Sequence, residues 1–200
     1  MRKLFILASI AGLALFNSCT EHEVIPPPVP LVDLNCDCNA VIDDTTVTYA
    51  DSCYYFSIKN IVTEGLSNAR YITSIENEDE VGGLEIEIRS IDWTDGGTNN
   101  PTLDEWKTFL TDNANPNYSD NPGHKGVFVK WTTSDGDVWE SDTTTSICLK
   151  NFTFNTLIQE SDSTGHYTQF DATFNCTLLN PTYGSKCLEN GHVRSAFKLE

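Results

Sequence analysis

Three kinds of side chain in this 200-residue chain could do chemistry: cysteine, histidine and a large excess of carboxylates. The cysteines past the N-terminal leader are Cys36, Cys38, Cys53, Cys148, Cys176 and Cys187. An even number in an oxidising compartment favours disulfides, with connectivity left open by sequence. Cys36 and Cys38 are too close to bond to each other in an extended chain, so each is expected to reach a different partner, one of which could be Cys53. Cys176 and Cys187 bracket a turn-rich segment, where a local bridge is expected. A zinc site would need paired C-x-x-C or histidines at set spacing, which a single C-x-C does not supply.

His124, His166 and His192 each follow a glycine, the setting of a polar turn residue. His166 with Asp162 or Asp171 could orient a nucleophile, but the chain has no G-x-S-x-G, no H-E-x-x-H and no glycine-rich phosphate loop. Its 29 acidic residues offer too many pairs to single out the two carboxylates of a glycosidase. The expectation is therefore a protein that is not an enzyme. No cofactor is expected except a weakly indicated structural calcium, for which Asp92, Asp95, Asn99, Asn100 and Asp104 crowd one Gly-Gly loop.

Binding is the remaining chemistry. Trp93, Trp106 and Trp131 fall on apolar faces, whereas Trp139 has polar neighbours. An exposed indole beside Asp and Thr could stack on the C–H face of a sugar, so Trp139 is the ligand-binding candidate. The net charge of −17 argues against nucleic acid, because an acidic surface repels phosphate backbones.

The elements that would position these residues read mainly as strands. Leu84, Ile86 and Ile88 alternate with Glu85, Glu87 and Arg89, the pattern of a half-buried strand. Ile91 and Trp93 then fall on the opposite parity, so a bulge near Ser90 is needed to keep all five inside. Phe152, Phe154 and Thr156, then Phe170 to Leu178 at every second position, predict a hairpin around Ser161 to Gly165. Asn190-Gly191 predicts a turn before a last strand, Val193 to Leu199. If Asp135-Gly136 is a two-residue turn, Trp131 pairs with Glu140 and Thr132 with Trp139. Val127, Val129 and Trp131 then share one face while Phe128, Lys130 and Trp139 share the other. One helix is predicted: Thr102 and Glu105 form a capping box, and Leu103, Trp106, Phe109 and Leu110 line one side up to Asp112. Asn113 to Gly123, polar with two prolines, is expected to be a mobile loop.

The fold class expected is mainly β, an antiparallel β-sandwich or barrel with one short covering α-helix. Residues 36–200 form a single disulfide-containing β-domain, after a proline-rich tether at 19–35 that includes Pro26, Pro27, Pro28 and Pro30.

Met1-Arg2-Lys3, the apolar run Leu4 to Phe16 and the box Phe16-Asn17-Ser18-Cys19 resemble a bacterial lipoprotein signal peptide over residues 1–18. The resemblance implies cleavage before Cys19 and lipidation of its thiol by a palmitate-type acyl chain. The apolar run is shorter than the roughly 20 residues that span a bilayer. Glu21 and Glu23 resemble the acidic export tags of Bacteroidetes surface lipoproteins. The closing strands, Phe170-Asp171-Ala172-Thr173-Phe174 and Val193 to Leu199, resemble the C-terminal ends of uncharacterised Bacteroidetes lipoproteins. That resemblance covers about the last third of the chain and implies a β-sandwich or barrel with no assigned activity.

Together these readings predict a lipid-anchored lipoprotein of the cell outer membrane or surface. Its expected role is a non-catalytic binding module for a glycan or an envelope protein, held to the membrane by its N-terminal lipid. A structural envelope component is the alternative, and a hydrolase comes third.

Overall fold

The computed structural model describes residues 31–78, 81–94 and 99–199. Cys19, the leader, the proline run and Asp95 lie outside the described residues. Ten strands and one helix follow in order: β1 Asp37–Ile42, β2 Thr45–Tyr49, β3 Ser52–Asn60, β4 Leu66–Glu76, β5 Gly83–Thr94, α1 Leu103–Asp112, β6 Gly126–Thr132, β7 Val138–Ser141, β8 Asn151–Asp162, β9 Gly165–Asn180 and β10 Gly184–Leu199.

All strands join one antiparallel sheet in the order β2-β1-β10-β9-β7-β6-β5-β4-β3, with β8 attached to β9. The sheet curls until β10 comes within packing distance of β3 and β4, without closing into a barrel. Curling lets a single sheet bury one face against itself, which is how an all-β chain without a second sheet makes a core. The two halves meet at a buried hydrogen bond of 2.5 Å between the hydroxyls of Thr73 on β4 and Ser195 on β10. The apolar core is rich in aromatics from β8, β9 and β10: Phe152 stacks on Phe174 at 5.7 Å and Phe170 on Phe197 at 4.7 Å.

The helix forms where the capping box predicts. The Thr102 side chain accepts from the Glu105 amide, and the Glu105 carboxylate accepts from the Thr102 amide at 2.8 Å. Such a cap supplies about 1 kcal/mol. Trp106 is the side chain that attaches the helix to the sheet. Its ring meets Tyr71 of β4 edge-on at 4.2 Å, and its indole N–H donates to Thr168 of β9 at 2.7 Å. The helix thereby bridges both halves of the curl.

Three register features decide which residues face out. In β5, Ser90 takes φ 57° and the pairing with β4 slips between Ala69 and Tyr71, so Leu84, Ile86, Ile88, Ile91 and Trp93 are all buried. The parity change in the sequence is therefore a bulge. In β10, Asn190 takes φ 51° and the pairing with β9 slips between Leu188 and Gly191. Asn190-Gly191 is thus a bulge inside one 16-residue strand, not the turn expected from its composition. Asparagine tolerates the left-handed conformation that a bulge needs as readily as a turn does. Gly191 is required there by space, since a Cβ would lie 2.8 Å from three atoms of the Phe174 ring.

The third feature corrects the β6–β7 hairpin. Trp131 pairs with Trp139 and Lys130 with Glu140, one residue away from the expected register. The Thr133 amide donates to the Asp137 carbonyl at 2.9 Å, leaving Ser134-Asp135-Gly136 as a three-residue loop with Gly136 at φ 86°. A three-residue loop with a left-handed glycine is a standard alternative to the two-residue turn. A one-residue slip exchanges the faces of a strand, and Trp139 moves to the core side. The β8–β9 hairpin carries a smaller correction. Its pairing slips between Phe154 and Thr156, so Thr156 points outward while Leu157 packs against the core.

Candidate functional site

Removing Trp139 from the outer face leaves a different set of residues there. Trp139 is 4% exposed, lies 6.2 Å from Trp131, and is covered by the ring of Tyr183 and the ammonium of Lys186. It offers no free ring face for a sugar.

The outer face of the β3–β7 half instead carries a groove of about 590 Å³. Its floor is set by register. Phe56 of β3 pairs with Ile72 of β4, Ile72 with Glu87 of β5, and Glu87 with Phe128 of β6, giving one row across four strands. A parallel row runs Glu85, Lys130, Glu140 and Leu179 across β5, β6, β7 and β9. Side chains at paired positions share a face, so each row is continuous.

The charged residues of the floor are joined to one another. Arg89 donates through Nε to Glu87 Oε1 at 2.8 Å, and Arg70 donates to the same oxygen at 3.1 Å. A second Arg89 nitrogen donates to the Ser119 carbonyl at 2.7 Å, and the guanidinium lies over Phe128, 3.8 Å from its centroid. The expected outer placement of Phe128 and Lys130 holds, and Arg89 is what covers Phe128. Glu87 and Arg89 are consequently buried, so β5 is buried on both faces, not on one as its alternation suggested. Lys130 donates to Glu85 at 2.8 Å.

The walls come from loops. Asn113 to Gly123 is pinned against β6, with the Val127 amide donating to the Asn117 carbonyl at 2.9 Å and the Ser119 amide to the Val127 carbonyl at 3.0 Å. The expectation of a mobile loop gives way to a strap whose Asp120 reaches the groove. Next to it, Asp142 accepts from the Thr145 amide at 2.6 Å and from the amide and hydroxyl of Thr144 at 3.0 and 2.8 Å. Although burial acts against it, those donors hold the Asp142 carboxyl well below the usual range, so it stays a carboxylate. Phe56, 38% exposed, and Ile58 supply an apolar rim.

The other predicted residues are dispersed. His124 is exposed in a loop and His166 is exposed at the start of β9, paired with Leu199, so the two are in separate places. His192 hydrogen-bonds Asp171 across 2.9 Å, and Asp171 also accepts from Asn155 at 2.8 Å. Burial raises the Asp171 pKa, but the hydrogen bonds from Asn155 and His192 outweigh it and leave the carboxyl below its ordinary value. This pair sits on the β8–β9–β10 side, away from the groove lining, and no serine or cysteine is hydrogen-bonded to it among the described residues. Of the calcium candidates, Asp92 accepts from Ser90 and is paired with Lys125, while Asp104 lies exposed in the first turn of α1 beside the exposed Asn99 and half-buried Asn100. Among the described residues no cluster of three or more His, Cys, Asp or Glu is placed to hold a metal ion.

The cysteines resolve into one bridge and four thiols. Cys36 bonds Cys53, linking the strand entrance to β3. Cys38, expected to find its own partner, is a thiol buried in the core, where burial pushes its pKa up. The expected Cys176–Cys187 bridge is not formed. Cys176 pairs with Leu188 and Cys187 with Thr177, so the two thiols point to opposite faces of adjacent strands. Cys148 is also a thiol.

No protein-family model, curated protein or solved structure matches this chain.

Proposed function

We propose that this protein is a lipid-anchored envelope or surface lipoprotein that binds a neutral or weakly cationic glycan in the groove over β3–β7, without catalysing a reaction. The observation that carries the reading is the floor itself: cationic donors and carboxylate acceptors lie side by side in it, bordered by an apolar rim. Arg70, Arg89 and Lys130 stand against Glu85, Glu87, Asp120, Glu140 and Asp142. Five carboxylates to three cations gives no attraction for an anion, whereas adjacent donors and acceptors suit hydroxyl groups. Phe56 and Ile58 supply the surface on which C–H faces of a sugar ring lie.

The non-catalytic reading rests on how four of the five carboxylates are engaged. Glu87 serves two arginines, Glu85 serves Lys130, Asp142 closes a turn and Asp120 accepts from Thr143 at 2.9 Å. A general acid must be free to give up a proton to substrate. A partner protein is the second reading, supported by Tyr54, Phe56 and Ile58 exposed in a row along the edge strand β3.

Two experiments test the parts separately. Metabolic labelling with a lipid analogue, comparing wild type with Cys19→Ala and followed by protease shaving of intact cells, tests the address: label must depend on Cys19. Binding of the purified protein to an array of neutral, amino and acidic glycans tests the ligand class. Retention of neutral or amino glycans is expected. A preference for acidic ones, or no retention, would overturn the glycan assignment.

A further inference from the structure

We propose that Cys148 and Cys187 form a second, oxidisable disulfide that fastens the 142–150 loop to β10. Thr177 on β9 and Cys187 on β10 are cross-strand partners, so their side chains stand on one face. Over the free edge of β9 at this point lies the loop between β7 and β8. Its Asp142 amide donates to the Thr177 carbonyl at 2.9 Å, and its Ile147 amide to the Thr177 hydroxyl at 3.3 Å. These bonds bring Cys148 down onto the same place. Its Sγ lies 3.6 Å from Thr177 Oγ1 and donates to the Cys176 carbonyl at 3.2 Å. Thr177 thus has a cysteine on either side, Cys187 across the strand pair and Cys148 against its hydroxyl.

Neither cysteine is fully buried, so an oxidant can reach them, unlike Cys38 and Cys176 in the core. The Cys187 backbone is held for the bond. Cys187 exchanges hydrogen bonds with Asp43, its amide donating to the carboxylate and its carbonyl accepting from the Asp43 amide, each at 3.2 Å. The reaction is thiol–disulfide exchange with an external disulfide such as oxidised glutathione. The Cys148 thiolate attacks the donor, forming a mixed disulfide and releasing one donor thiol. The Cys187 sulfur then attacks the Cys148 sulfur, its proton passes to solvent, and the second donor thiol leaves. The protein loses two hydrogens and the donor disulfide is reduced to two thiols.

The consequence reaches the groove, because the fastened loop begins at Asp142, one of its walls. Oxidation joins that wall covalently to β10 without depending on what the groove binds.

Peptide mapping of the folded full-length protein decides the matter. The protein is first reduced under native conditions, then equilibrated with oxidised glutathione until the Cys36–Cys53 peptide is completely linked again, which shows that oxidation has occurred. Remaining thiols are then alkylated and the digest is analysed by mass spectrometry without reduction. The expected result is a peptide pair joined through Cys148 and Cys187, with Cys38 and Cys176 alkylated only after unfolding. Free, alkylatable Cys148 and Cys187 would overturn the proposal, as would a link from either to Cys176. In Cys148→Ser the linked pair must vanish while Cys187 becomes alkylatable; the wild-type map stands by itself if that variant does not fold.

Discussion

Arg89 and Glu87 stand two residues apart on β5 and join through a 2.8 Å bond, each with a side chain only 5% exposed. Two positions along a strand return side chains to the same face, so this contact is local. What makes it a site is the third member, Arg70 from β4, which reaches the same carboxylate oxygen.

Glu87 holds two guanidinium groups, and its removal leaves charge without a partner in a poorly hydrated place. Breaking a buried pair by deleting one member costs about 3 kcal/mol or more. Glu87→Gln is expected to lower the free energy of unfolding by that amount, whereas the exposed Glu64→Gln should change it little. Chemical denaturation followed by tryptophan fluorescence reads both.

Trp139 is a core residue, so its truncation acts on stability. Trp139→Ala should cost about 3–5 kcal/mol, the usual range for deleting a buried aromatic. Tyr183→Ala removes its cover and leaves the fold in place. Calorimetry of the two variants distinguishes them: a sharp loss of Tm belongs to Trp139, and a small one to Tyr183.

The different outcomes for these residues show what the sequence makes legible. The β5 bulge is visible because Ile91 and Trp93 change parity, and a buried strand cannot hide that change. The helix is visible because Thr102 and Glu105 satisfy each other locally. The β6–β7 register is not, because Asp135-Gly136 suits both a two-residue turn and a three-residue loop with glycine left-handed. That single ambiguity turns Trp139 inward. The groove is less legible still, since Phe56, Arg70 and Glu87 come from three strands whose pairing no local pattern specifies. Two signals existed: charges of both signs on the outer positions of β5, and Phe56 and Ile58 alternating with Ser57 and Lys59 on β3.

Gly191 lies flat over the Phe174 ring, with no room for a methyl group. Phe174 is fully buried and stacked on Phe152, so it cannot swing aside. Gly191→Ala is expected to destabilise by about 1–3 kcal/mol, the cost of overpacking a closed core. Pairing Gly191→Ala with Phe174→Leu should recover part of the loss, as measured by a double-mutant cycle in urea.

Asp162 ties the chain entering the domain to the β8–β9 turn. It accepts from the Val32 amide at 2.8 Å and from the amide and hydroxyl of Thr164, each at 2.6 Å. The Thr164 hydroxyl, then the Val32 amide, hold its carboxyl down to about 2. Its folded pKa lies below the unfolded value of about 3.9, so its stabilisation is complete above that value and is lost as pH falls through about 2. Hydrogen exchange at the Val32 amide should therefore stay protected at pH 5 and lose protection toward pH 2. Asp162→Asn should remove this dependence.

The groove is the central claim, and comparison of groove and control variants on the glycan array tests it most directly. Phe56→Ala and Arg70→Ala change the rim and the floor, whereas Tyr183→Ala changes an exposed aromatic outside the groove lining. The account predicts that wild type and Tyr183→Ala retain the same neutral or amino glycans, and that each groove variant, still folded by circular dichroism, loses at least tenfold in affinity. Equal retention by all four proteins would place binding elsewhere and contradict the account.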